Sequence, residues 1–156
     1  MASQHEESRL NDRPAKTPPP RLEDFPHRVS DLVRYADLDP QGHVNNAIFS
    51  TYFETGRVAM FRKPDLSIGF PGATFILVRV EIDFLKELRW PRTVEIGSAI
   101  TRFGRSSFDV NQGIFDDGVC AALGRATMVC IDTKTRRPRP LPEEIIASLS
   151  EWKPVA

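Results

Sequence analysis

Residues 34–62 contain the one long helical pattern of the chain, and this pattern most constrains the fold. The apolar members recur at spacings of three and four residues: Phe49, Tyr52, Phe53, Gly56, Ala59 and Met60. Because Ile48, Val58 and Phe61 widen this stripe, the helix is apolar over most of its circumference and is expected to be buried. Asn45 or Asn46 can supply the N-cap oxygen, and Pro64 cannot continue the helix. The sequence therefore predicts a buried helix that begins directly after a polar turn.

Segments with strand character lie on both sides of this helix. One precedes it at residues 27–36, and four follow it at residues 78–84, 94–103, 108–114 and 119–132. Apolar and charged residues alternate along residues 78–84, which predicts a half-buried strand. Tight turns are predicted at residues 104–106 and 116–118, the second because an Asp-Gly pair supplies the positive φ that hairpins favour. A short helical pattern follows at residues 142–149. This order predicts an α+β fold, an antiparallel sheet wrapped around one long central helix.

The length of 156 residues is typical of a single domain. Residues 1–24 have few large apolar residues and no periodicity, which indicates a disordered N-terminal tail. We therefore expect one domain over residues 25–150, followed by a short C-terminal tail over residues 151–156.

The charge balance limits the classes of partner. The chain has 21 Lys plus Arg and 21 Asp plus Glu, so no net field draws it to nucleic acid or to an anionic membrane. No apolar run approaches the roughly 18 residues of a membrane helix, and we expect a cytoplasmic protein. Cys120 and Cys130 lie in one predicted strand, beyond disulfide reach of each other, and are interpreted as reduced core residues.

Metal sites are not predicted. Asp37, Asp39 and Gly42 occupy positions 1, 3 and 6 of a calcium loop, but Ile48 stands where position 12 requires a bidentate glutamate. Three histidines without a cluster of cysteines or carboxylates give no zinc pattern. We expect no metal and no cofactor.

The segment Asp39-Pro40-x-Gly42-x-Val44-x-Asn46, which leads into Tyr52-Phe53-Glu54-x-Gly56-Arg57, resembles the hotdog-fold thioesterases. Within them it is similar to the 4-hydroxybenzoyl-CoA thioesterase-like group, over about residues 26 to 150. The form Gly-His-Val-Asn-Asn resembles the acyl-CoA and acyl-carrier-protein branches more than the branch with aromatic substrates.

The resemblance implies roles for two residues. Asp39 falls on the catalytic carboxylate of the family, and the backbone N–H of Asn46 falls on the group that polarises the thioester carbonyl. The resemblance also implies a homodimer or homotetramer, with the CoA arm of the substrate running between subunits.

Thioester chemistry fits these residues. A thiolate leaves without a strong acid, because the pKa of a thiol is about 8.5. The reaction needs a carboxylate and donors aimed at the developing oxyanion, and unpaired N–H groups at a helix N-terminus can supply the donors. Asn45 and Asn46 can equally act only as helix caps, and Asp39 only as a turn former beside Gly42.

Other candidates are less specific. His43 can orient the substrate or the Asp39 loop, or be an ordinary loop residue. Glu54 can pair with Arg57 on the helix or serve as the working base in place of Asp39. The phosphates of CoA have two groups of candidate contacts, and either group can also be a solvated surface: Arg105, Ser106 and Ser107, and Arg136, Arg137 and Arg139.

The first hypothesis is an acyl-CoA thioesterase that hydrolyses a fatty or small acyl-CoA to free acid and CoA. Asp39 is its nucleophile or general base, and the helix N-terminus polarises the carbonyl. The alternatives are an acyl-carrier-protein thioesterase and a hotdog subunit that binds acyl thioesters without cleaving them. The sequence does not determine the acyl chain length, the choice of carrier or the oligomeric state.

Overall fold

The computed structural model describes residues 18–62 and 71–154. The elements in chain order are β1 His27–Val33, α1 Asn46–Met60, β2 Ala73–Phe84, β3 Arg92–Phe103, β4 Ser107–Asp116, β5 Val119–Asp132 and α2 Glu143–Leu149. The five strands form one antiparallel sheet in the order β1-β3-β4-β5-β2. Helix α1 packs on β1, β3 and β4. The predicted α+β architecture is confirmed.

The two hairpins form where turn chemistry predicts them. Gly104 N–H donates to the carbonyl of Ser107 at 2.7 Å, which closes the turn between β3 and β4. Asp117 and Gly118 have φ values of 49° and 76°, so the Asp-Gly pair makes the positive-φ turn between β4 and β5. These short connections bring β3, β4 and β5 side by side under the helix.

Helix α1 lies on the sheet at very close range, and Gly56 makes this possible. A Cβ at Gly56 would lie 2.6 Å from Ile96 Cγ2 and 2.7 Å from Gln112 Nε2. Buried side chains fill the space at both ends of this contact. The cluster toward the N-terminal end of α1 consists of Val33, Val44, Phe49, Tyr52, Phe53, Leu88, Val94, Ile96, Ile114, Ala121 and Ala122. The cluster toward its C-terminal end includes Met60, Phe61, Ile100, Phe108, Val110 and Ile145.

The prediction that α1 is buried over most of its circumference is wrong for one side of the helix. Thr51, Glu54 and Val58 are exposed, with Val58 at 40%. The reason is geometric: the sheet covers only the face that carries Phe49, Tyr52, Phe53, Gly56 and Met60.

Arg57 is buried, and its guanidinium has a different partner from the one expected. Nη1 donates to Gln112 Oε1 at 3.1 Å, and Gln112 Nε2 donates to Ser98 Oγ and to the carbonyl of Phe53, each at 2.9 Å. Burial lowers the pKa of Arg57, and the charge of Glu54 opposes this shift. The described residues show no Glu54–Arg57 ion pair, because Arg57 turns into the core and Glu54 turns outward.

Two strands differ from their predicted extents. β1 ends at Val33, and Tyr35 begins a 3-10 turn with its side chain 72% exposed. β2 already begins at Ala73, and Val78, Val80 and Phe84 are exposed rather than on a half-buried face. The cause is position: β2 is the edge strand beside β5, and α1 packs mainly on β1, β3 and β4. Cys120 and Cys130 are buried free thiols, as predicted.

Both ends of the described chain are ordered beyond the predicted domain limits. A 3-10 turn at Leu22–Asp24 leads into Phe25, whose ring lies over Gly97 on the face of the sheet opposite α1. At the other end, Trp152 packs edge-to-face against His27 at 4.9 Å. The buried aromatic contacts explain why this order extends past both limits. Residues 1–17 of the predicted tail lie outside the described residues. The same holds for most of residues 64–73, whose Pro and Gly content predicts a connection after α1.

Candidate active site

The loop between β1 and α1 is fastened to the helix by Asp37. Tyr52 Oη donates to Asp37 Oδ2 at 2.8 Å, and the Arg34 N–H donates to the same oxygen at 2.8 Å. The Asp37 carbonyl accepts the N–H of Asn45 at 2.9 Å. Burial, together with the hydrogen bond to Asp37, raises the pKa of Tyr52 well above its ordinary value, so the hydroxyl remains a donor. The loop is thereby held at both ends.

Asp39 lies in the tight turn that follows. Its Oδ1 accepts the N–H groups of Gln41 at 2.8 Å and of His43 at 3.3 Å. Gly42 has a φ of 80°, which a residue with a side chain rarely adopts, and its N–H donates to the Asp39 carbonyl. No described residue donates to Oδ2. One carboxylate oxygen therefore fixes the turn, and the other is available for chemistry.

The first turn of α1 presents a free donor. Asn45 is the N-cap, as predicted, because its Oδ1 accepts the Ala47 N–H at 3.0 Å. The Asn45 N–H is used by Asp37, and the Ile48 N–H by the Asn45 carbonyl. Within residues 18–62 and 71–154, no acceptor engages the N–H of Asn46. This N–H points along the positive end of the helix dipole and can stabilise an anionic oxygen.

Asp39 and Asn46 line one cavity of about 330 Å³. Its apolar lining residues are Val44, Phe49, Phe84 and Leu85, and its other polar lining residues are Gln41, His43, Lys86 and Glu87. Phe49 and Phe84 meet edge-to-face with ring centroids 5.1 Å apart. A carboxylate and a free helix donor thus share a cavity that has both an apolar wall and charged groups.

Four of the lining residues were not predicted from the sequence. They are Phe84, the last residue of β2, and Leu85, Lys86 and Glu87 in the loop that follows. His43 Nε2 lies 3.0 Å from Glu87 Oε2 and 2.9 Å from Arg89 Nη2. The only sequence signal was the charged run that follows β2. Periodicity cannot show that this loop meets the Asp39 turn, because the two segments are far apart in the chain.

Glu54 does not share this cavity in a single chain. It lines another cavity of about 350 Å³ with Thr51, Thr55, Val58, Ala59 and Arg62, on the side of α1 away from the sheet. The two candidate bases, Asp39 and Glu54, are therefore on different surfaces of one chain.

The candidate phosphate contacts lie at the other end of the sheet. Ser107 pairs with Val129 on β5, whereas Phe84 pairs with Ala122. Seven strand residues span about 23 Å, so Arg105, Ser106 and Ser107 are far from Asp39 in the same chain. Arg137 also lies at that end, because its carbonyl accepts the N–H of Asp132, and Arg136 precedes it there.

The described ranges contain no cluster of three or more His, Cys, Asp or Glu side chains that could hold a metal ion. The helices of those ranges are also too short or too polar to cross a membrane.

Comparisons with known proteins agree with this fold. The family model of the thioesterase-like superfamily matches residues 33–149. The acyl-CoA thioester hydrolase YbgC of Escherichia coli is 24% identical over 123 residues, which are 76% of this chain and 92% of that protein.

Two solved structures are similar over most of their length. The PA5185 protein of Pseudomonas aeruginosa superposes with a TM-score of 0.81 at 26% identity, over 89% of this chain and 99% of that one. A thioesterase of Thermus thermophilus, solved with coenzyme A and Zn, gives a TM-score of 0.73 at 36% identity, over 85% and 99% of the two chains.

The chain belongs to the thioesterase-like superfamily, with the hotdog fold that its motif predicted. It is a thioester hydrolase.

Proposed function

We propose that the protein is an acyl-CoA thioesterase that uses Asp39 as nucleophile or general base and the Asn46 N–H as the donor to the thioester oxygen. The observation that carries this proposal is the shared cavity, which is lined both by Asp39, with one carboxylate oxygen free of described donors, and by Asn46, with a backbone N–H free of described acceptors. The relatives named for acyl-CoA hydrolysis and solved with CoA support the choice of carrier.

The chemistry follows from these two groups. The carbonyl carbon of the thioester is attacked by Asp39 Oδ2, or by a water from which Oδ2 removes a proton. Negative charge develops on the carbonyl oxygen, where the Asn46 N–H and the helix dipole stabilise it. The C–S bond then breaks with its electron pair on sulfur, and the thiolate needs no strong acid because the pKa of a thiol is about 8.5.

The other lining residues divide the cavity between the two parts of a substrate. Val44, Phe49, Phe84 and Leu85 offer an apolar wall for the acyl group. The charged residues at the rim favour a polar arm such as pantetheine.

A second copy of the chain would complete the site. β2 is an edge strand whose Leu77, Val78 and Val80 are exposed, and an edge strand offers unpaired backbone groups to another strand. Two-fold antiparallel pairing of β2 with its copy would bring the Ala73 end of one chain beside the Phe84 end of the other. This pairing would bring the partner's Arg136 and Arg137 toward the cavity end of the first chain, where they could contact the CoA phosphates.

Free-thiol release tests this function directly. Short, medium, long and aromatic acyl-CoAs should be compared with the same acyl groups on an acyl carrier protein. The proposal predicts turnover of at least one acyl-CoA with a higher kcat/KM than its carrier-protein counterpart. Thermal stabilisation by CoA without any thiol release would contradict it and would indicate a binding subunit.

A further inference from the structure

The imidazole of His43 is held between two oppositely charged side chains of the loop after β2. Its Nε2 lies 3.0 Å from Glu87 Oε2 and 2.9 Å from Arg89 Nη2, and these two side chains are 3.4 Å apart. The His43 side chain is 21% exposed and lines the cavity that also contains Asp39. The ring therefore lines the same cavity as Asp39, and its Nε2 contacts two oppositely charged side chains.

His43 Nε2 cannot donate a hydrogen bond to Glu87 and accept one from Arg89 at the same time. With its proton on Nε2, His43 donates to Glu87, and Nδ1 carries a lone pair. With the proton on Nδ1, Nε2 accepts from Arg89. Arg89 contacts Glu87 as well, so it can keep that contact when the imidazole donates to Glu87. The first arrangement leaves Nδ1, which no described residue engages, open to the cavity or to solvent.

Backbone hydrogen bonds of the residues before and after Glu87 hold this part of the loop in place. The Leu85 and Lys86 N–H groups donate to the Ala121 carbonyl at 2.9 and 3.0 Å. The carbonyl of the buried Leu88 accepts the Val44 N–H at 2.9 Å, directly beside His43. An ordinary surface ion pair has no such support and contributes little. Here two loops are bonded together, and the Glu87–His43 contact lies at their junction.

We propose that Glu87 is a positioning residue that keeps the proton of His43 on Nε2, so that Nδ1 accepts the proton of the hydrolytic water. This inference rests on the proposed function and takes Asp39 as the nucleophile. Asp39 Oδ2 bonds to the acyl carbon, and the C–S bond breaks with its electron pair on sulfur. Water oxygen then bonds to the acyl carbon of the resulting anhydride, and its proton goes to Nδ1. The bond from that carbon to Asp39 Oδ2 breaks, which restores the carboxylate, and the imidazolium gives its proton to the thiolate or to solvent.

Kinetics of five variants test this assignment with an acyl-CoA that the wild type hydrolyses. His43→Gln is expected to lower kcat by about a hundredfold and Glu87→Ala by about tenfold, with KM nearly unchanged. Glu87→Gln keeps an acceptor for Nε2–H and should fall between Glu87→Ala and wild type. Because Glu87 acts through His43, the double variant His43→Gln/Glu87→Ala should be no slower than His43→Gln alone.

Glu95→Ala is the matched control, since Glu95 is an exposed carboxylate on β3 that does not line the cavity. Two results would overturn the proposal: equal kcat for Glu87→Ala and Glu95→Ala, or a double variant that loses the product of the two single effects.

The tautomer of His43 gives a reading that does not depend on turnover. Nitrogen-15 NMR of the imidazoles, with His43 assigned by loss of its signals in His43→Gln, should show the neutral ring protonated on Nε2 in the wild type and in Glu95→Ala. Glu87→Ala should show a mixture of tautomers. Protonation on Nδ1 in the wild type would overturn the role proposed here for Glu87 and His43 without affecting the proposed function. Absence of acyl-CoA turnover would contradict the proposed function.

Discussion

The hydroxyl of Tyr52, on the second turn of α1, lies 2.8 Å from the carboxylate of Asp37, in the loop that leads to the Asp39 turn. Tyr52 is completely buried, and Asp37 is nearly so. Since the Asp37 carbonyl also accepts the Asn45 N–H, this contact ties the loop to the helix start at which Asn46 presents its free N–H. The relative position of Asp39 and Asn46 therefore depends on a hydrogen bond that neither residue makes.

Tyr52→Phe removes that hydrogen bond and leaves the buried Asp37 carboxylate with fewer donors. We expect the free energy of unfolding to fall by about 1.5 to 3 kcal/mol, the range for hydrogen bonds to charged groups. Chemical denaturation measures this change, and kcat should fall with it because the loop loosens. Tyr35→Phe, at an exposed tyrosine, is the control and should change neither quantity. A Tyr52→Phe protein as stable and as active as wild type would contradict the role assigned to this contact.

Gly56→Ala tests the close packing of α1 on the sheet. Its Cβ would lie 2.6 Å from Ile96 Cγ2, 2.7 Å from Gln112 Nε2 and 3.1 Å from Ser98 Oγ. Overpacking of this kind costs about 1 to 3 kcal/mol, more than the gain of about 1 kcal/mol from helix propensity. Thermal and urea unfolding should both show lower stability.

The control for Gly56→Ala is Thr51→Ala, on the exposed face of the same helix, which should be neutral or slightly stabilising. A stabilised Gly56→Ala protein would mean that the helix and the sheet are not in such close contact.

Asp109 links stability to pH. The hydrogen bond from Arg102 lowers the pKa of Asp109 below its ordinary value of 3.8; burial opposes this shift, and a hydrogen bond from Thr127 adds to it. A lowered folded-state pKa contributes stability that is present above pH 3.8 and is lost as the pH falls through the folded value. The stability difference between wild type and Asp109→Asn should therefore be constant from pH 7 to about pH 5 and shrink below pH 3.8.

Urea unfolding between pH 2 and pH 7 measures this difference, if Asp109→Asn is compared with Asp117→Asn at an exposed turn. A difference that grows as the pH falls would show that the sign of the linkage is wrong.

The fold was largely predictable because its signals are local. The three- and four-residue spacing of α1, the Asp-Gly turn at residues 117–118 and the alternation along the strands each depend on neighbours in sequence. The errors occur where tertiary position matters more than local pattern. Val78 and Val80 alternate like half-buried residues, yet they are exposed because α1 packs mainly on β1, β3 and β4 and leaves β2 uncovered.

The candidate site also combines residues that a local motif predicts with residues that only the tertiary structure brings to it. The resemblance to the hotdog thioesterases identified Asp39 and Asn46 as candidates, and the structure places them in one cavity. Glu87 and Arg89 could not be found this way, because only the pairing of β2 with β5 and the bond between Leu88 and Val44 bring their loop to His43. Arg57 was given the wrong partner for a related reason: Gln112, on β4, is close in space but distant in sequence.

The most direct test of the account is the turnover of Asp39→Asn. The amide oxygen can still accept the N–H groups of Gln41 and His43, so the turn should keep its shape while the reactive carboxylate is lost. With the best acyl-CoA in the thiol-release assay, we predict a loss of kcat of at least about a hundredfold and a nearly unchanged KM, whereas Glu54→Gln should stay within about twofold of wild type. Wild-type turnover in Asp39→Asn, or a loss found only in Glu54→Gln, would contradict the central claim.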